Sequence, residues 1–170
     1  MTVITTTKDA ATLTLTLVAE FDADPDQVWE VWEDPRKLER WWGPPTYPAT
    51  FTRHDFVLGG ESRYFMTGPA NQTPRGWWRI DGIDKPHRLE FANGLAGDDG
   101  EPAPGVQPMA GYVTFEAIDG GTRMTAITRF VDVGQMETML GMGMHEGMTQ
   151  AISQIDALLA PAPLELEVSR

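Results

Sequence analysis

Apolar and polar residues alternate strictly from Thr12 to Phe21, with Leu13, Leu15 and Leu17 on one side and Thr12, Thr14 and Thr16 on the other. A period of two marks a strand with one wet face. Asp24-Pro25 then opens a helix. Asp24 is placed to cap, Pro25 suits the first helical position, and Gln27 stands where a capping box reaches back. This helix is expected to end near Glu33, and Asp34-Pro35 starts a second one that runs to Trp42 before Gly43-Pro44-Pro45 stops it.

The period changes in the middle of the chain. Six short β-rich runs follow, from TYPATF to TRMTAITRF, broken by Gly59-Gly60, Pro69, Asn93-Gly94 and Asp119-Gly120-Gly121. No helical segment separates them, so an antiparallel meander is expected rather than βαβ units. Parity assigns Tyr64, Met66, Trp78, Ile80, Leu89, Phe91, Val113, Phe115, Met124 and Ala126 to the concave side, and places His54 toward water. Residues 95–108 carry Pro and Gly with almost no apolar content and read as an exposed loop, either a lid or slack.

From Val133 to Ala160 the spacing predicts one long amphipathic helix capped by Asp132 and Gln135. Its apolar stripe holds Leu140, Met144, Met148, Ala151, Ile152, Ile155, Leu158 and Leu159. Residues 161–170 read as a tail. Gly141, Gly143 and Gly147 interrupt the helix, each at about 1 kcal/mol relative to Ala. Close approach to the sheet, a kink at a cavity mouth, or a non-helical start would each account for them.

The chain of 170 residues is predicted to form a single α+β domain, with about seven antiparallel strands, two short helices after the first strand and a long C-terminal helix. Thirteen basic against 25 acidic residues give a net charge of −12, which disfavours nucleic acid and anionic membranes as partners. The absence of cysteine excludes disulfides, thiolate metal sites and thiol nucleophiles. With no basic leader and no long apolar run, a cytoplasmic location is expected. The oligomeric state is left open, a homodimer included.

The stretch FDADPDQVWEVWEDPRKLERWWGP resembles the opening signature of the family named for the activator of heat shock protein ninety ATPase, within the START-like, birch-pollen-allergen-like (SRPBCC) superfamily. Asp55 with Gly59-Gly60, then Pro86-His87-Arg88-Leu89, then Gly120-Gly121-Thr122-Arg123-Met124, resemble its later landmarks in order. The resemblance spans about residues 12–160 and implies a helix-grip fold, in which the closing helix lies across a curved sheet over a pocket. Many members carry Gly-Trp where this chain has Gly147-Met148, a difference expected to reshape that pocket.

The resemblance implies a site for a small apolar molecule, walled by Trp42, Tyr64, Met66, Trp78, Phe91, Met124, Met144, His145 and Met148. The same side chains can equally pack as core. A cavity enzyme of the cyclase, dehydratase or hydrolase kind is the alternative, with His145, or Asp55 with Tyr64, moving the proton. Against it stand an exposed or structurally bonded His145 and a turn-bound Asp55. A regulator of a chaperone or another protein partner is a third reading. No metal-ligand spacing, nucleophile elbow or phosphate loop is present, so neither metal nor cofactor is called for.

Overall fold

The computed structural model describes residues 3–159. Eight antiparallel strands form one sheet in the order β1-β2-β8-β7-β6-β5-β4-β3. They are β1 (Val3–Asp9), β2 (Thr14–Phe21), β3 (Ala49–His54), β4 (Glu61–Met66), β5 (Arg75–Asp84), β6 (Arg88–Ala96), β7 (Met109–Ile118) and β8 (Gly121–Arg129). The strand β1 was not expected. Its Thr-rich run pairs only with β2 and stays largely exposed, so no burial period announces it. Thr12 and Leu13, read as the first residues of a strand, instead lie in the turn joining β1 to β2, where Leu13 takes φ 59°.

Burial alternates without a fault along β2 and β8, which places Leu15, Leu17, Met124 and Ala126 on the concave face. The expected break at Asn93-Gly94 does not occur; β6 continues through both, with Gly94 directly opposite Trp77. The loop expected over 95–108 starts only at residue 97, because β6 holds Leu95 and Ala96 in the ladder with β5.

Helix α1 (Pro25–Glu33) begins with the expected capping box: the Gln27 amide donates to Asp24 Oδ1 at 3.0 Å and the Asp24 amide donates to Gln27 Oε1 at 3.2 Å. It buries Val28, Trp29, Val31 and Trp32 against the sheet, with Trp29 edge-on to Phe115 at 5.3 Å. Helix α2 is shorter than its sequence suggested, only Pro35–Leu38. The following turns are held by the Trp41 indole, which donates to the Val31 carbonyl at 2.8 Å.

The closing segment is three helices, not one: α3 (Val133–Gly141), α4 (Met144–Ser153) and α5 (Ile155–Leu159). Gly143 takes φ 90°, a left-handed conformation that Gly adopts without steric cost, and it breaks the run after Met142. Asp132 caps α3, accepting from the Gln135 amide at 2.8 Å. On the stripe Ala151, Ile152 and Ile155 are buried, whereas Leu140, Met144, Met148, Leu158 and Leu159 are half-buried against the core. Met136, outside the predicted stripe, is the buried residue of α3. Ala160 and the 161–170 tail lie outside the described residues.

Candidate functional site

A hollow of ≈ 290 Å³ lies between the concave sheet and the pair α3–α4. Its floor is made by side chains from β4, β6, β7 and β8. Trp42 forms one side, and Met139, Met142, Met144 and Met148 form the roof. Six of the nine methionines line it. Unbranched thioethers adapt to irregular shapes and pack well on aromatic edges.

Two glycines set the depth of the floor. Tyr64 stands directly opposite Gly76 across the β4–β5 ladder, and a Cβ at Gly76 would fall 2.2 Å from the Tyr64 hydroxyl oxygen. Phe91 is likewise opposite Gly111, where a Cβ would meet the Phe91 ring at 2.8 Å. Each ring therefore lies over the neighbouring strand instead of standing up into the hollow. In the roof, Gly147 faces open space: among the described residues no heavy atom other than those of its chain neighbours and its own helix backbone lies within 4 Å of the position its Cβ would take.

Of the residues anticipated for this site, Trp42, Tyr64, Met66, Phe91, Met144 and Met148 line the hollow. Trp78, Met124, His145 and Asp55 do not. Trp78 is wholly buried, packed against Trp42 and Phe91 with ring centroids 4.7 Å away in both cases. Met124 is also wholly buried and pairs with Phe115, which packs on α1. His145 lies in the first turn of α4 with Nδ1 3.9 Å from Glu146 Oε2. Asp55 is on the outer surface, where its Oδ2 accepts from Arg53 Nε at 2.7 Å. The proton-transfer groups of the cavity-enzyme reading are thus not assembled around the hollow; only Tyr64 borders it.

Among the described residues Tyr64 is also the one ionisable side chain of the lining. Burial pushes its hydroxyl above the ordinary phenol range, and the neighbouring Trp42 indole N–H offsets part of that rise. Among the described residues the two groups fall short of hydrogen-bond geometry, and Nε1 of both Trp42 and Trp32 is buried without a partner. An unpaired buried donor costs about 1–3 kcal/mol.

His54 was expected to face water and instead turns inward. A β-bulge between Phe51 and Arg53 advances the register by one residue and reverses the parity beyond it. The ring bridges two elements, with Nε2 2.9 Å from the Trp32 carbonyl and Nδ1 2.8 Å from Ser62 Oγ. A carbonyl only accepts, so Nε2 carries the proton and Nδ1 accepts from the hydroxyl. Burial holds the His54 pKa below its usual value. This histidine braces the backbone of Trp32, whose side chain lines the hollow.

Beside the hollow a second space of ≈ 360 Å³ opens under the 97–108 loop and shares Leu95, Met109, Met139 and Met142 with the first. Gln135 fastens this loop: its Nε2 donates to the Gln107 carbonyl at 2.7 Å while its Oε1 accepts from the Val131 amide at 2.8 Å. Among the described residues no group of three or more His, Asp or Glu is placed to hold a metal ion, and no helix is long and apolar enough to cross a membrane.

A curved antiparallel sheet gripped by C-terminal helices over such a hollow defines the START-like, helix-grip class. Residues 22–160 match the family model for activator of Hsp90 ATPase homolog 1-like proteins, and the chain belongs to that family. The crystal structure of protein Ms6760 from Mycobacterium smegmatis is 41% identical, with a TM-score of 0.87 over 95% of this chain and 99% of that one. A solution structure of a protein from Arthrobacter aurescens is 49% identical, with a TM-score of 0.88 over 93% and 92% of the two chains. The AHSA1 protein from Silicibacter pomeroyi, 21% identical with a TM-score of 0.69 over 92% and 99%, shares the fold. No curated protein matches the chain.

Proposed function

We propose that the protein binds a small apolar or aromatic molecule in the hollow between the sheet and helices α3 and α4. The observation that carries this reading is the combination of size and lining. The hollow has ≈ 290 Å³, about the volume of ten waters, and is walled by Trp42, Tyr64, Phe91 and a methionine roof. Apolar walls with few polar groups favour transfer of an apolar guest out of water. Membership of a START-like family supports the reading, since folds of this class commonly bind ligands.

A thermal-shift screen with hydrophobic metabolites tests it. A true ligand at a hundredfold excess over its Kd adds about 2.7 kcal/mol of stability. The Met148→Trp variant fills the space and removes that shift. If no member of the panel raises the melting temperature, or if the filled variant responds equally, the reading fails.

A further inference from the structure

The polar groups of the hollow go further than its shape and select a class of ligand; this step rests on the binding reading above. Trp32, Trp41, Trp42, Tyr64, Asn93 and Thr128 are the residues with polar side-chain atoms in a lining that, among the described residues, contains no Asp, Glu, Lys, Arg or His. An ionised guest would lose its hydration there with no opposite charge in the lining to replace it.

Two of those groups sit together with their hydrogen-bonding capacity unused. The Tyr64 ring is stacked on Phe51 at 4.9 Å and meets Trp42 edge-on at 6.0 Å, and its hydroxyl occupies the gap that the missing Cβ of Gly76 leaves. Among the described residues no group meets that hydroxyl in normal hydrogen-bond geometry, and the Trp42 N–H beside it is orphaned. Asn93, by comparison, spends a donor on the Met109 carbonyl at 3.4 Å. An indole N–H only donates, whereas a phenol both donates and accepts. Trp42 can therefore donate to the Tyr64 oxygen while Tyr64 donates onward into the hollow, and a hydrocarbon guest would leave that second donor unused.

We infer that the ligand is an uncharged, flat molecule bearing a hydrogen-bond acceptor such as a ketone, ester or amide carbonyl, which is held by the Tyr64 hydroxyl. Tyr64 then sets the orientation of the guest, and the methionine roof closes over its apolar remainder.

Three probes of nearly equal shape test this by fluorescence titration: 2-acetonaphthone, which carries the acceptor, 2-ethylnaphthalene, which lacks it, and 2-naphthoate, which is charged. The ratio of ketone to hydrocarbon affinity is expected to fall about tenfold in Tyr64→Phe, the scale of one net hydrogen bond. The carbonyl stretch of the ketone bound to wild-type protein is expected at a lower frequency than in hexane, a readout that needs no variant. An unchanged ratio, or an unshifted stretch, overturns the assignment to Tyr64. Naphthoate binding as tightly as the ketone overturns the requirement for an uncharged guest. Failure of all three probes to bind overturns the cavity reading itself.

Discussion

Phe91 lies across the β6–β7 ladder from Gly111, and a Cβ on that glycine would stand 2.8 Å from Phe91 Cζ. The ring is an immovable neighbour, buried among Trp32 and Trp78. Gly111→Ala is therefore expected to destabilise the protein by about 1–3 kcal/mol through overpacking, and to push Phe91 into the hollow. Urea denaturation measures the first effect, and loss of probe binding measures the second.

Gly147 predicts the opposite sign. Its Cβ position is open, and it sits inside α4, so Gly147→Ala should stabilise by about 1 kcal/mol from helix propensity. In a chain of this length that corresponds to a rise of about 2–4 °C in melting temperature. Gly147→Leu should keep the fold and weaken probe binding, because its added atoms occupy the hollow. A fall in stability for Gly147→Ala would show that the roof is closed at this point.

The Gln135 side chain is expected to govern exchange rather than affinity. Gln135→Ala keeps the backbone cap to Asp132 and loses the two side-chain bonds to Val131 and Gln107. Amide hydrogen exchange in 103–107 should speed up, and bound probe should dissociate several-fold faster with little change in melting temperature. Identical exchange in the two proteins would remove the loop from any gating role.

His54 sets a pH dependence of stability. Its folded pKa is lowered, chiefly by burial, whereas the unfolded chain titrates near 6.5. The unfolded state therefore binds more protons between these values. The contribution is complete above about pH 6.5 and is lost as the pH falls through the lowered folded value. NMR titration of the His54 Cε1 proton should give a midpoint below 6.5, and the stability of His54→Gln should vary less over that window.

Much of the architecture could be read in advance because it is written in local chemistry. Asp24 with Gln27, and Asp132 with Gln135, announce helix starts through side chains that satisfy free backbone amides close by. The strict alternation of β2 and β8 marks their buried face. The features that escaped have no such mark. β1 is an exposed edge without a period, and the bulge before Arg53 reverses the direction of His54 with no special residue to signal it. At the site, parity gave the face of each strand but not the position along the sheet. Tyr64 and Met124 both belong to the concave side, yet one borders the hollow and the other is wholly buried beside Phe115. The glycines opposite Tyr64 and Phe91 were invisible because their meaning depends on register, which pairs residues distant in the chain.

The left-handed residue at 143 divides the ceiling into halves of unequal grip. On one side α4 and α5 bury three side chains, and Gln154 anchors them by donating to the Gly43 carbonyl at 2.7 Å. On the other, α3 inserts only Met136 fully. Peeling back those nine residues is expected to cost less than raising the whole segment, which on the binding reading makes α3 the side from which a guest would enter while the sheet and α4 stay in place.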